Sequence, residues 1–491
     1  MNLPSLASLL ELPPYQAYSY SYPHKTAYRP LAAPLPLREV WADEDRSGLF
    51  LYLHIPFCSY RCGFCNLFAL ARPAEDTVAR YLDRMRAQLR ATVDALGEHR
   101  FARFALGGGT PSYLDIGQLR ALFEDVRAVA GLDLRSIPAG MEVSPETVDA
   151  EKMALCREAG IDRISMGIQS FSDAEVKALV RPQQREQVEC AIDAIRRVRM
   201  PTLNLDLIYG IAGQSVQSFL ASIETALAFA PEEIYLYPLY VRPLTGLGRI
   251  EAAQSDSVID PVSDVAHLGS VLDEARLDEA RLDETRSSAS ARPKRRFALQ
   301  PEPQDTRADL YRAGRDALLA AGYRQISMRM FRAAHAPDEG DAPAYCCQDD
   351  GMVGIGCGAR SYTRRLHYSS EYGVSRRSVA EILDHYLQRK DRDFEVADYG
   401  FALNGDEQRR RYAIQSLLIR SGLDRAAYRR RFGADCLQDL PHLGELQTHG
   451  LAIIDAERIL PTEAGLARAD TIGPWLASPA VRERMHAYAL A

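Results

Sequence analysis

The chain has 491 residues, 47% hydrophobic and 25% charged, with a net charge of −7, the composition of an ordinary globular protein with room for several domains. No long basic run marks it for nucleic acid or an anionic membrane, and no apolar stretch reaches the length of a membrane span. "MNLPSLASLLELPP" has neither the basic region nor the apolar run of a signal peptide, and nine cysteines then fit a reducing cytoplasm.

In chain order, residues 1–48 read as a Tyr-rich N-terminal strap. In "YQAYSYSYPHKTAYRP", Tyr18, Tyr20 and Tyr22 alternate, so an extended segment puts all three rings on one face, with His24, Lys25, Tyr28 and Arg29 following. Such a segment is an edge strand or strap, or a lid whose aromatic and cationic groups cover a flat or anionic substrate. Residues 49–250 alternate strand and helix. "GLFLYLHIPF" is a strand, and Val78, Leu82, Met85, Leu89, Val93 and Leu96 recur at helical spacing. Strands "RFARFALGGG", "AGMEVS", "DRISMGIQS", "TLNLDLIYGI" and "EIYLYPLYV" follow, with helices between them. Six such strands predict a parallel sheet with helical crossovers, whose functional residues gather at the C-terminal strand ends.

Residues 251–300, including "RLDEARLDETRSSASARPKRRF", have few bulky apolar residues and read as a charged, low-complexity surface insertion. Residues 301–400 form a post-barrel α/β segment that completes the core, and 401–491 read as a small helical, winged C-terminal domain.

The chemistry concentrates in "YLHIPFCSYRCGFCNLF", where Cys58, Cys62 and Cys65 are spaced C-x3-C-x2-C. A redox pair needs only C-x2-C, and a zinc ribbon needs a second pair; Cys346 and Cys347 are adjacent and make a poor zinc knuckle. Three thiolates on one loop instead suit three corners of a [4Fe–4S] cluster, whose fourth iron stays open to a non-protein ligand. An open iron at a reducing cluster suits chelation and reductive cleavage of S-adenosylmethionine.

With "LGGGTPSYL", "MEVSPE", "RISMGIQSF", "LNLDLIYGI" and "VGIGCGARSY" in order, the chain resembles the radical S-adenosylmethionine superfamily, in its oxygen-independent coproporphyrinogen III oxidase-like branch. The resemblance covers roughly residues 15–480. It implies a partial (β/α)6 barrel of TIM-like type, a [4Fe–4S] cluster on Cys58, Cys62 and Cys65, and S-adenosylmethionine as cofactor. It assigns Tyr52, Gly108 and Glu142 to the first cofactor molecule, and Phe64, Gly109, Thr110, Gln169, Arg181 and Asp206 to a second. Tyr240 and Arg360 fall at cofactor positions where the oxidase has a small and an apolar residue. The implied partners are a small-molecule substrate and an electron donor such as flavodoxin or ferredoxin, with no nucleic acid and no membrane, and a monomer is expected.

Two departures bear on the reaction. Leu67 stands where the oxidase has a fourth cysteine, and "SMRMF", with Arg329 and Met330, stands where it has an Asp-His pair. The heme-chaperone branch also lacks the fourth cysteine but usually has a His where Arg360 stands. Three functions remain open: a two-cofactor radical methyltransferase acting on an unsaturated or heteroaromatic small molecule, a porphyrinogen oxidative decarboxylase, and a non-catalytic heme chaperone.

Overall fold

Apolar strand runs separated by amphipathic helices build one mixed sheet, seen in a computed structural model that describes residues 5–18, 20–257, 305–338 and 350–488. Among the described residues, its thirteen strands are β1 (Arg29–Pro36), β2 (Leu49–Ile55), β3 (Phe101–Gly108), β4 (Ala139–Val143), β5 (Arg163–Gln169), β6 (Thr202–Tyr209), β7 (Glu233–Pro238), β8 (Arg324–Gln325), β9 (Met330–Arg332), β10 (Met352–Ile355), β11 (Arg360–Tyr362), β12 (Leu366–Ser369) and β13 (Val396–Ala402). Their spatial order is β1-β13-β12-β11-β10-β2-β3-β4-β5-β6-β7-β9-β8. Strands β2 to β7 are parallel neighbours, as the alternation predicts. β10 adds a further parallel strand beside β2, and β9 closes the other flank antiparallel to β7. The barrel is therefore open, with β1 and β8 at its edges.

Helices α1 (Glu75–Leu96), α2 (Ile116–Ala130), α3 (Ala150–Ala159), α4 (Arg185–Arg197) and α5 (Val216–Ala228) run between the parallel strands. Each buries one stripe; on α1 it is Val78, Tyr81, Met85, Leu89 and Leu96, at i, i+3 and i+4 spacing. The Asp115–Gln118 capping box starts α2, and Gly131, at φ +63°, ends it. On β2, Leu49, Leu51, Leu53 and Ile55 join the sheet–helix core, while Tyr52 packs in a separate cluster on the other face with Phe50, Ala105, Met352 and Tyr362. That inner face is where polar residues collect.

Beyond the barrel, α6 (Arg307–Ala320) packs on α5, α7 (Arg376–Gln388) on α1, and α8 (Gly405–Leu417) and α9 (Ala469–Leu476) pack together in a C-terminal region. That region also carries a small three-stranded sheet of Leu423–Asp424, Ala452–Ile454 and Arg458–Pro461. The N-terminal segment threads both cores: Leu6, Tyr22 and Tyr28 lie in the C-terminal core, and β1 pairs with β13. Residues 20–23 are bends and not an extended strand, and Tyr22 leaves the other two rings, so the one-face expectation fails. Tyr18 and Tyr20 stay together, ring centroids 4.8 Å apart, whereas Tyr22 turns into the C-terminal core, where its hydroxyl bonds Glu407 and accepts from Ser478 N at 3.1 Å.

The start of the expected insertion, up to Ser257, is helical as part of Gly246–Ser257; the rest of it, and Cys346 and Cys347, lie outside the described residues. No helix among the described residues is long and apolar enough to cross a membrane.

Candidate functional site

Strand β2 ends at Ile55, and the next residues form the cysteine loop. Phe57–Cys58 pairs in parallel with Leu70–Ala71, and Cys65 N donates to Cys62 O at 3.0 Å. The loop is tied to the barrel at its centre: Gly63 N donates to Leu179 O at 2.9 Å, and Gly63 O accepts from Leu247 N at 2.8 Å. A Cβ at Gly63 would sit 2.9 Å from the Leu179 carbonyl oxygen, so only glycine allows this approach.

Beneath the loop lies the Gly107–Thr110 turn at the end of β3. Gly108 has φ +123°, and a Cβ there would lie 2.7 Å from Ile55 O. At Gly109 a Cβ would lie 2.8 Å from Cys58 Sγ. Thr110 N donates to Phe57 O at 2.8 Å, and Thr110 Oγ1 donates to Cys58 Sγ at 3.4 Å. Gly109 and Thr110, assigned by resemblance to a cofactor, therefore also form the ledge on which the first thiol rests.

All three thiols are free and half-buried. Burial, then the charge of Cys65, pushes the Cys58 thiol up to about 12; burial also raises Cys62, against the pull of Arg181. The three are thus within electrostatic reach of one another, and ionising them together needs a cationic centre between them. Among the described residues, no three His, Cys, Asp or Glu side chains converge on a single ion position. Three soft thiol donors on one loop, at C-x3-C-x2-C spacing, fit three corners of an iron–sulfur cluster. A [4Fe–4S] group held there supplies a low-potential electron and one iron open to a non-protein ligand.

Arg181 is a partner of this loop. It is buried; Nη1 lies 3.1 Å from Cys62 Sγ, Nη2 donates to Gly167 O at 2.7 Å and Ser144 Oγ at 3.2 Å, and Nε donates to Gln183 Oε1 at 2.8 Å. The guanidinium thus ties the cysteine loop to the ends of β4 and β5.

Inside the barrel, Glu142 is exposed although it lies in β4, between two neighbouring strands, so its carboxylate faces an open lumen. Its Oε2 accepts from Gly108 N at 3.0 Å. A Cβ on Gly107 would lie 2.9 Å from that oxygen and 3.1 Å from the Tyr52 ring, which places Tyr52 and Glu142 on either side of one glycine. The surrounding protein still desolvates the carboxyl and raises its pKa, against the Gly108 hydrogen bond and Arg163. Asp206 on β6 faces the same lumen; burial pushes it up to about 7, against the Asn204 Nδ2 hydrogen bond at 2.7 Å. Gln169 ends β5 at φ +64°, in a register shift between Gly167 and Gln169 that turns the strand end.

At the mouth, Phe64 packs against the cluster of Leu179, Ile208 and Ile211. Tyr240 donates to Asp470 Oδ2 of α9 at 2.6 Å, and Arg329 Nη2 pairs with the same oxygen at 2.5 Å, so these two residues dock the C-terminal region on the barrel mouth. Arg360 Nη1 lies 3.4 Å from both Tyr20 Oη and Ser21 Oγ of the strap.

Sequence reasoning missed His54. It is buried, and its Nε2 lies 3.0 Å from Phe68 O while Nδ1 lies 3.2 Å from Tyr52 Oη. A carbonyl only accepts, so Nε2 carries the proton and Nδ1 accepts from the Tyr52 hydroxyl. Burial lowers His54 to about 4, which keeps it neutral. Also missed was the lumen ion cluster, in which fully buried Glu233 takes Arg163 at 2.7 Å and Arg332 at 3.3 Å. Charged residues at the ends of three strands, Arg163, Glu233 and Arg332, were the available signal.

Residues 52–226 match the Radical SAM superfamily. That stretch runs from β2 into α5 and contains the cysteine loop and the glycine ledge. Over 466 residues, 91% of this chain and 89% of the relative, it is 27% identical to the oxygen-independent coproporphyrinogen III oxidase of Pseudomonas aeruginosa. It is 29% identical over 197 residues to the heme chaperone HemW of Bacillus subtilis, covering 40% of this chain and 51% of that protein. The fold is that of coproporphyrinogen III oxidase (HemN) from Escherichia coli, with TM-score 0.72, 21% identity and coverage of 97% and 99% of the two chains.

Proposed function

We propose that this radical SAM protein cleaves S-adenosylmethionine reductively at a [4Fe–4S] cluster on Cys58, Cys62 and Cys65, and directs the resulting 5′-deoxyadenosyl radical at a small molecule. The observation that carries this reading is the packing of the three-cysteine loop against the Gly107–Thr110 ledge, directly above Tyr52 and Glu142 in the lumen. In this reading Glu142, Tyr52 and Gly108 hold the first cofactor molecule. Asp206 and Gln169, on strands farther round the barrel, hold part of a second, which serves as methyl or methylene donor to an unsaturated or heteroaromatic carbon. The electron comes from a small carrier such as flavodoxin or ferredoxin, and the protein acts as a cytoplasmic monomer.

Arg329 and Met330 weigh against the porphyrinogen reaction. They occupy the oxidase's Asp-His positions, and Arg329 is tied to Asp470. Similarity to an oxidase over nearly the whole chain keeps oxidative decarboxylation as the second reading. Anaerobic incubation of reconstituted protein with S-adenosylmethionine and reductant separates them. The methyltransferase reading expects 5′-deoxyadenosine together with S-adenosylhomocysteine once substrate is present. 5′-Deoxyadenosine with carbon dioxide release from coproporphyrinogen III supports the second reading, and neither nucleoside product overturns both.

A further inference from the structure

The inner side of the strap carries two cations, Lys25 and Arg242, that neither the cluster nor the cofactor roles use, and Arg360 stands beside them. The Lys25 ammonium sits 3.6 Å from the centroid of Tyr372, and among the described residues no carboxylate pairs with it. Arg242, just past β7, stacks 5.6 Å over Tyr240, and its Nε is buried with no hydrogen-bond partner. Arg360, on β11, stacks 5.3 Å over Tyr20. The three charges feel one another: burial, and then Arg360 and Arg242, hold the Lys25 amino group down at about 8, against the pull of Tyr20. They also surround His24, which burial and the same three cations keep neutral. Cys65 lies within electrostatic reach of both Lys25 and Tyr372, so the group stands beside the cysteine loop.

Lys25 and Arg242 are like charges packed on tyrosine rings with no carboxylate beside them among the described residues, so they oppose one another and oppose folding. Such local conflict is found where a ligand supplies the missing charge. The rings of Tyr18, Tyr20, Tyr237 and Tyr240 add an apolar wall of mutually tilted aromatics, with Tyr18 centred 4.8, 6.4 and 6.2 Å from the other three and inclined to them by 39°, 46° and 68° in turn. We infer that Lys25, Arg242 and Arg360 form an oxyanion subsite beneath the strap, which takes the carboxylate of a planar aromatic or heteroaromatic substrate. This deepens the enzyme reading above and rests on it. Arg242 Nε and the Lys25 ammonium offer the unused donors, and charge-assisted bonds from both fix the acid end of the ligand while its ring lies on the tyrosines.

The α-carboxylate of S-adenosylmethionine has the same chemistry, so the test has two arms. Calorimetry on the full chain with its cluster compares quinoline-2-carboxylate with quinoline-2-carboxamide, and S-adenosylmethionine is titrated separately. The wild type is expected to prefer the acid by about tenfold or more, and Lys25→Met and Arg242→Met each to remove most of that preference while amide affinity moves less than about twofold. Lys25→Arg should retain it. Without ligand, Lys25→Met should melt no lower than the wild type, because it relieves repulsion and leaves no carboxylate unpaired; a lower melting temperature would indicate a structural cation and count against the subsite. If instead both Met variants weaken S-adenosylmethionine by about tenfold and leave the probe pair unchanged, the subsite stands with the cofactor as its ligand. Equal wild-type affinity for acid and amide, or a preference surviving both Met variants, overturns the proposal when S-adenosylmethionine binding is also unchanged. 5′-Deoxyadenosine formation by the wild type tests the radical reading by itself, so failure of one is distinguishable from failure of the other.

Discussion

Arg181 Nη1 lies 3.1 Å from the sulfur of Cys62, and the same guanidinium reaches Ser144, Gly167 and Gln183. One buried side chain thus ties the middle cysteine to the ends of β4 and β5. A donor aimed at a cluster thiolate stabilises the more negative, reduced state. Arg181→Met is expected to lower iron retention by about tenfold or more and to make the cluster potential more negative. Iron analysis and an EPR-monitored redox titration check this; an unchanged potential with full iron content would leave Arg181 without a role at the cluster.

The Gly109 prediction is steric. Its Cβ would lie 2.8 Å from both Cys58 Sγ and Phe57 O, and the second of these is backbone and cannot swing away. Gly109→Ala should therefore displace the first thiol, at a cost of about 1–3 kcal/mol in stability, and lose most of the brown chromophore. Gly131→Ala is the control for helix-end strain, since it meets nothing within 4 Å at its φ of +63°. It should lower stability by roughly 1 kcal/mol and leave iron content intact.

The helix that opens the expected insertion is tied to the cysteine loop. Gly246 packs against Gly63, where its Cβ would lie 3.1 Å from the Gly63 Cα, and Leu247 N bonds Gly63 O at 2.8 Å, so the helix that begins there supports the cysteine loop. A deletion starting at residue 258 and ending at Pro293 keeps that support and removes a stretch poor in core-forming residues. Iron content and 5′-deoxyadenosine formation should stay close to wild type. Loss of soluble yield would show that the removed segment packs on the barrel.

The parallel sheet was legible because continuous apolar runs such as "LFLYLHI" and "TLNLDLIY" need cover on both faces, and the helices between them have only one apolar stripe. β10 was not legible as a neighbour of β2: Met352–Ile355 is four residues long, and its partner lies about three hundred positions earlier in the chain. The cysteine loop and the glycine ledge stood out by residue type and spacing. Arg181's partners did not, since a guanidinium reads alike in sequence whether it holds a ligand or a protein thiol. Tyr22 misled for a related reason, because alternation fixes facing only where the backbone is extended.

Asp206 makes stability depend on pH. Burial raises its carboxyl to about 7, from roughly 3.9 in the unfolded chain, so the folded state binds this proton more tightly. The resulting penalty is absent below pH ~4, grows as pH rises through that window, and is complete above pH ~7. Lumen water screens part of it, leaving on the order of 2 kcal/mol. Asp206→Asn should therefore melt a few degrees above wild type at pH 8 and close to it at pH 4.5, both without added cofactor. A difference that does not change with pH would remove the titration from Asp206.

The last prediction separates one cofactor molecule from two. Glu142 holds the Gly108 amide and faces Tyr52 across Gly107, whereas Asp206 lies on β6, two strands farther round, hydrogen-bonded to Asn204. If a second S-adenosylmethionine uses Asp206, the aspartate accepts from its hydroxyls or ammonium, and removing it leaves a ligand donor unpaired at a cost of about 1–3 kcal/mol. That is one to two orders of magnitude in affinity. Calorimetry on the reconstituted protein should find two S-adenosylmethionine molecules per wild-type chain and about one in Asp206→Ala at the same concentrations. The variant should lose methylated product far more than uncoupled 5′-deoxyadenosine, because Tyr52, Gly108 and Glu142, proposed above to hold the cluster-bound molecule, are untouched. A wild-type stoichiometry of one would end the two-cofactor reading and move the case to a single-cofactor radical reaction.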